Sequence, residues 1–275
     1  GEPMRIALTG APMTAKISDR AVAWNSSFTL EPGEVLEIGA ATVGIYGYLS
    51  VAGGIDIAPM LGSRATHLVA GVGAKLEAGA VLPVGPDPDP GRAPMRLDAE
   101  PRFRGGDVRI VPGAQTGFYD TETRTRFEAT EFTRDARGNR QGVQLAFNGA
   151  PFEAQGQRTI LSEVIVPGDI QMTGDGVPFV LLPECQTTGG YPRIGSVLPE
   201  DLALVAQAMP GVRLRFRFLG VEAARAAHVP EGRRFEEVAG RVMRAVRDPN
   251  EMGDLLSYQL ISGVTAGAGP EEEGI

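Results

Sequence analysis

The sequence predicts a mainly β protein, and three observations point there. Glycine supplies 37 of 275 residues, nearly twice its usual share of roughly 7%, and 21 prolines add to the turn-forming content. Short runs of alternating or β-branched apolar residues recur between those turns. Helical periodicity is scarce and comes late in the chain. Hydrophobic residues at 43% can support a packed core, so the glycine excess reads as strand punctuation rather than disorder.

Along the chain, Arg5–Leu8 reads as a strand almost at once. Because the first residue is Gly1 rather than Met, the sequence reads as starting inside a domain. Leu30-Glu31-Pro32-Gly33-Glu34-Val35-Leu36-Glu37-Ile38-Gly39 recurs as Leu76-Glu77-Ala78-Gly79-Ala80-Val81-Leu82-Pro83-Val84-Gly85. Each copy is a turn glycine followed by alternating apolar residues, as expected of two similar hairpin entries. Ile45–Val51 is a further strand, and Pro86, Pro88, Pro90 and Pro94 then interrupt regular structure. Strands are expected at Val108–Val111, Phe127–Phe132, Gln144–Phe147, Ile160–Val166 and Phe179–Leu182. Leu214–Phe218 alternates strictly, with Arg215 and Arg217 on the face opposite the apolar residues.

Helical spacing begins with Leu198, Leu202, Val205 and Met209, ended by Pro210-Gly211. A longer stripe runs through Phe235, Val238, Ala239, Val242, Met243 and Val246, and further turns are expected around Met252, Leu255, Leu256 and Gln259. The Gly- and Glu-rich end, Thr265–Ile275, is expected to be mobile. The resulting division is a first β subdomain over 1–86, a Pro-rich linker over 87–106, a second β subdomain over 107–220 and a helical tail over 221–275.

Composition excludes several functions. A net charge of −8 disfavours nucleic acid, which needs a clustered basic surface. Lys16 and Lys75 are the only lysines, and no Walker-type phosphate loop occurs. His67 and His228 have no metal-ligand spacing, so no metal site is expected. No nucleophile-elbow glycine pattern accompanies them for serine hydrolysis. Cys185 is the single cysteine, which excludes an internal disulfide and suits a reducing, cytoplasmic compartment. No apolar run approaches the roughly 18 residues of a membrane span, and no signal-peptide pattern opens the chain.

Three polar, glycine-rich segments are candidate sites. In the first, Gly53-Gly54 permits close backbone approach and Arg64 offers a multi-donor cation; a structural turn with a surface arginine is the alternative. The second, Asn139-Arg140-Gln141-Gly142, carries a guanidinium into a strand, where a solvated turn is the competing reading. The third is the densest, running from Pro167-Gly168-Asp169-Ile170-Gln171 through Thr173-Gly174-Asp175-Gly176 to Gln186-Thr187-Thr188-Gly189-Gly190-Tyr191-Pro192. Gln186 can both donate to and accept from an amide edge, and Thr187, Thr188 and the Gly189-Gly190 amides suit a nest for an oxyanion. A ligand-free hydrogen-bonded loop stays open as an alternative. Cys185 beside it reads as a small buried apolar residue.

These strings, with Tyr48-Leu49-Ser50-Val51-Ala52-Gly53-Gly54-Ile55-Asp56 and Leu61-Gly62-Ser63-Arg64-Ala65-Thr66, resemble one family from near Ile6 to about Phe218. It is the allophanate hydrolase subunit 2-like family, also called the biotin-dependent carboxyltransferase or 5-oxoprolinase C-type family. The resemblance implies two cyclophilin-like β-barrel subdomains, and an allophanate hydrolase subunit 1-like partner with, in one branch, a third protein. It implies one of three functions. The first is ATP-dependent opening of 5-oxoproline to glutamate. The second is carboxyl transfer from carboxybiotin to urea or a related amide, and the third is regulation of a subunit 1-like protein without chemistry. Gln186, Thr188, Asp175 and Arg140 are then the catalytic candidates, Asp175 as acid–base group. Gly53, Gly54, Arg64, Gln171, Thr187, Gly189, Gly190 and Tyr191 would bind substrate. ATP is expected on a partner first. With no Met-Lys-Met acceptor, biotin would arrive on a separate carrier. The family's N-terminal Gln-Asp-x-Gly-Arg string does not occur, so an incomplete first subdomain is expected. Gln144 stands where the family commonly has arginine.

Overall fold

A computed structural model describes residues 1–99, 102–156 and 160–245. The protein is mainly β with few helices, as the glycine punctuation predicts. Seven strands close a barrel, in the order Gly142–Ala146, Pro178–Leu181, Asp169–Met172, Arg193–Val197, Gly106–Val111, Arg213–Phe218 and Phe132–Asn139. Neighbours are antiparallel except Arg213–Phe218, which lies parallel to Gly106–Val111. Val108, Ile110, Ile170, Met172, Val180, Ile194, Leu214 and Phe216 fill the interior. The alternation of Leu214–Phe218 is realised: Leu214 and Phe216 are buried, while Arg213 and Arg215 reach Glu131 on the outside.

The strands before the barrel, joined by Val242–Arg244 from after it, form two sheets. One has the order Val242–Arg244, Met95–Leu97, Ser26–Leu30, Met4–Gly10 and Gly47–Val51, and the other Arg20–Ala21, Met13–Ile17 and Leu36–Ala41. Inward residues alternate here too, Ile6 and Leu8 in the first sheet, Ala15 and Ile17 in the second. The internal echo survives as a turn. Glu34 N donates to Glu31 O and Ala80 N to Glu77 O, each at 3.0 Å, with Gly33 and Gly79 at φ +89° and +83°. That conformation at the third turn position favours glycine. Only the first copy continues into a strand, Leu36–Ala41; the second reaches an isolated bridge between Val84 and Ile55. The sheets and barrel meet through the buried Gln207, whose Oε1 accepts from Ile45 and Tyr46 N and whose Nε2 donates to Tyr46 O.

Three sequence expectations are corrected. Phe127–Phe132 is not one strand: Thr121–Ala129 is a helix and the strand starts at Phe132. The Asp120 carboxylate caps the helix by accepting from Thr123 N at 2.7 Å, and Thr130 turns the chain so that both phenylalanines enter one core. The Phe235–Val246 stripe is likewise divided. Helix Glu231–Ala239 ends at Gly240, and Val242–Arg244 pairs with Met95–Leu97, whose edge supplies its backbone partners. In 160–166 only Glu163–Val164 is strand. Val246, the turns around Met252–Gln259 and the end from Thr265 lie outside the described residues.

Tyr119 is buried against the barrel and its hydroxyl donates to Pro192 O at 3.2 Å. Burial raises its pKa far above the ordinary value near 10. A folded pKa raised above the unfolded one gives stability that is complete below about pH 10 and is lost above it, as the unfolded chain ionises first. Urea melts at pH 8 and pH 10.5 should show this alkaline loss, and Tyr119→Phe should shrink it while costing about 1 kcal/mol at neutral pH.

Candidate functional site

Side chains alternate along Asp169–Met172, so Ile170 and Met172 point into the barrel while Asp169 and Gln171 point outward. Those outward groups are nevertheless only 3% and 7% exposed. What covers them is a short ribbon, Glu163–Val164 paired with Thr188–Gly189. Asp169 Oδ2 accepts from Val166 N at 3.0 Å, and Ile165 N donates to Thr187 O at 3.1 Å. Gly189 crosses directly above Gln171: a Cβ there would lie 2.5 Å from the Gln171 amide nitrogen. The Gln171 carboxamide has no hydrogen-bond partner among the described residues.

Arg193 fastens this ribbon to the barrel. Its Nη1 donates to Val164 O at 2.6 Å and to Asp169 Oδ2 at 3.1 Å, its Nη2 to Glu163 at 2.8 Å, and its Nε to Gln115 Oε1 at 3.1 Å. Gln115 closes the ring by donating to Glu163 at 2.7 Å, and Ser196 donates to Asp169. Sequence reasoning missed Arg193, Glu163 and Gln115, and gave Asp169, which lies in the third segment, no role of its own. The available signal was a charged residue at an outward strand position within glycine-rich strings, Asp169 after Pro167-Gly168 and Arg193 after Tyr191-Pro192.

Above the ribbon, Gln186, Thr187 and Thr188 are exposed with their side chains free among the described residues, and Tyr191 is also exposed. Cys185 is half-buried, and burial, then the Asp169 charge, pushes its thiol up. Arg140 stands beside the start of this row. Its Nε pairs with Glu184 at 3.0 Å, and Glu184 N donates back to Arg140 O at 3.0 Å. Arg140 Nη2 donates to Thr66 O at 3.0 Å, which brings the first polar segment against the third. The structure therefore brings Arg140, Thr66 and Glu184 together, Glu184 being a partner that the sequence did not suggest and standing two residues before Gln186.

Other candidates have local partners. Arg64 Nε donates to Ile57 O at 2.7 Å, with Asp56 at 3.6 Å. Gly53 makes the expected close approach, to backbone: at φ +81° a Cβ would sit 2.1 Å from Gly85 O. Gly54 O accepts from Gly85 N at 3.0 Å. Asp175 occupies the hairpin turn between Asp169–Met172 and Pro178–Leu181, the end away from Cys185. The Thr173 hydroxyl, its own backbone amide and Arg137 hold its carboxyl below the usual range, so it is ionised at neutral pH. Two hollows lie elsewhere. A 480 Å³ cleft runs between sheets and barrel beside Arg104 and Gln207, and a 450 Å³ hollow lies beside Thr173 and Gly176. Among the described residues, no cluster of His, Cys, Asp and Glu is arranged to hold a metal ion.

Residues 1–218 match the family described as carboxyltransferase domain, subdomain A and B. The chain belongs to this family. Its match ends at Phe218, the last residue of the barrel, so the helices Val221–Ala227 and Glu231–Ala239 follow the carboxyltransferase-family part. The chain is 32% identical over 241 residues to the C-type subunit of 5-oxoprolinase from Escherichia coli (strain K12), covering 86% of this chain and 76% of that protein. The solved structure of TTHA0988 superposes with a TM-score of 0.69 at 31% identity, over 78% of this chain and 42% of that one. The K. lactis urea amidolyase gives a TM-score of 0.71 at 25% identity, over 82% of this chain and 15% of that one. This carboxyltransferase-family chain thus spans less than half of either solved chain.

Proposed function

We propose that the protein is one component of an ATP-dependent amide hydrolase that opens 5-oxoproline to glutamate, together with an allophanate hydrolase subunit 1-like partner and a third protein. The observation that carries this reading is the similarity to the C-type 5-oxoprolinase subunit across 86% of the chain. The geometry agrees with it. A cyclic amide presents one acceptor and one donor edge, and the free Gln186 carboxamide is matched to both. Thr188 and the Gly189-Gly190 backbone are the groups we assign to a developing oxyanion. Arg140, fixed by Glu184 and Thr66 O, offers its remaining donors to the substrate carboxylate. ATP, bound on a partner, supplies the free energy for opening the lactam. The cytoplasm, expected from the lone Cys185, is the compartment we assign. Among the described residues no helix is long and apolar enough to cross a membrane.

In the reconstituted complex, Gln186→Ala and Arg140→Ala should each lower kcat/KM for 5-oxoproline about tenfold to hundredfold, the worth of one well-placed polar contact. Wild-type turnover in both variants would remove these roles. A second reading is favoured by the urea amidolyase superposition: a carboxyltransferase component acting on urea or a related amide, with carboxybiotin on a separate carrier. Carboxyl transfer without ATP use by this chain would establish it. A stable heteromer that turns over neither substrate would instead indicate a regulatory binding role.

A further inference from the structure

The chain beyond Phe218 ties the barrel to the first sheet. At the barrel end, Glu200 Oε1 accepts from Val229 N at 2.9 Å and lies 3.0 Å from His228 Nδ1. At the other end, Val242–Arg244 pairs with Met95–Leu97, and Arg241 O accepts from Asp98 N at 3.3 Å. Helix Glu231–Ala239 runs between these two anchors. Its Val238, with Arg241 just after it, forms one wall of the 480 Å³ cleft. Other walls are Ala203 and Gln207 of the helix Leu202–Gln207, and Gly10 and Val43 from the sheets' side.

That volume falls in the range of small-molecule sites, roughly 300–1,000 Å³, and such sites favour the junctions between structural units. Much of the lining is apolar, including Leu97, Phe103, Ala203 and Val238. The Phe103 ring packs on Gly44, where a Cβ would lie 2.7 Å from its Cδ1. Phe103 so anchored carries Arg102 and Arg104, on either side of it, to the cleft that Arg241 also lines. Among the described residues, these three guanidinium groups face one lining carboxylate, Asp98. Arg102 and Arg241 each have an interaction of their own, whereas Arg104 has no hydrogen bond or ion pair among the described residues. An adjoining hollow of 440 Å³ shares Arg102, Val238 and Arg241 and adds Arg234. Arg234 Nε is sealed from solvent with no acceptor among the described residues, although Glu231 and Glu237 line the same hollow. Guanidinium donors beside apolar walls suit a small anion: their paired N–H groups match its oxygens, and low surrounding polarity strengthens the attraction.

We propose that this cleft binds a small organic anion, a carboxylate or phosphate group on a compact apolar body. The anionic group would meet Arg104 and Arg241, and the body would lie against Val43, Ala203 and Val238. None of Gln186, Thr188 and Arg140 lines the cleft. The site is therefore separate from the row assigned to the lactam, and its failure would leave that reading untouched. Because the walls come from the sheets, the barrel side and the chain beyond Phe218, an occupant would also hold these parts together.

The test titrates the full chain, with labelled methyl groups, against benzoate, phenyl phosphate and the neutral benzamide, followed by NMR. At least one anion should give saturable shifts at Val43, Ala203 and Val238, and benzamide should bind at least roughly tenfold more weakly. The tighter of the two anions identifies the preferred group as carboxylate or phosphate. Arg104→Gln changes an exposed side chain, so it should leave the melting temperature unchanged while weakening that anion about tenfold. Failure of both anions to give saturable shifts at millimolar concentration, or shifts confined to another face, overturns the site. Equal binding of benzamide, or undiminished anion affinity in Arg104→Gln, overturns the anionic assignment.

Discussion

Replacing Asp169 with alanine should destabilise the fold by about 3 kcal/mol, the cost of taking a buried, hydrogen-bonded partner from a charge that keeps only an exposed one. The Asp169 side chain is 4% exposed and that of Arg193 16%. Removing the carboxylate takes an acceptor from Arg193, from Val166 N and from the Ser196 hydroxyl at once. Arg193 would keep Glu163 and Gln115, but Glu163 lies in the outer ribbon and is itself half-exposed. The loss should therefore reach the site: the Glu163–Ile165 segment loosens, and with it Thr187–Gly189. Asp169→Asn keeps the shape and should recover part of the stability, mainly through Ser196. Urea melts give the stability change, and amide exchange at Ile165 reads the ribbon. A change below about 1 kcal/mol, with Ile165 still protected, would show that the Arg193 cluster does not hold the ribbon.

Phe127→Ala should cost a similar amount, about 3–5 kcal/mol, for a different reason. Phe127 is fully buried, with ring centroids of Phe132, Phe152 and Phe216 at 4.9, 5.3 and 5.4 Å. Truncation opens a cavity walled by three rings that belong to two strands and a loop, which cannot collapse together. Phe127→Leu should lose less, because most of the volume stays filled. A guanidinium melt shifted by less than about 1 kcal/mol in the alanine variant would mean the cluster is not a packed core.

These two residues also show where the sequence was legible. Regular alternation is a local signal, so Leu214–Phe218 could be assigned with its arginines outward, and Gly33 and Gly79 could be assigned to turns. Phe127 was read as strand because its neighbour in the pattern was Phe132. The helix there is fixed by the Asp120 cap and by packing on distant Phe216, and only the cap is written locally. Val242 and Met243 fitted a helical stripe, yet they pair with Met95–Leu97, about 150 residues earlier. At the site, the glycine-rich strings singled out the segments proposed to act. The contacts that organise them, Arg193 to Asp169 and Arg140 to Glu184 and Thr66, join residues 24 to 74 positions apart, so only the folded barrel reveals them. Gly53 illustrates the converse: its need for close approach was readable, but that the partner was the Gly85 backbone was not.

Glutamate released from 5-oxoproline, measured with ATP, the allophanate hydrolase subunit 1-like protein and the third protein, with and without this chain, is the most direct test of function. Turnover should require the chain and should fall tenfold or more when Gln186→Ala replaces the wild type. Equal glutamate release in its absence, or a complete complex that consumes no ATP with 5-oxoproline yet carboxylates urea, would contradict the assignment as an amide-opening component.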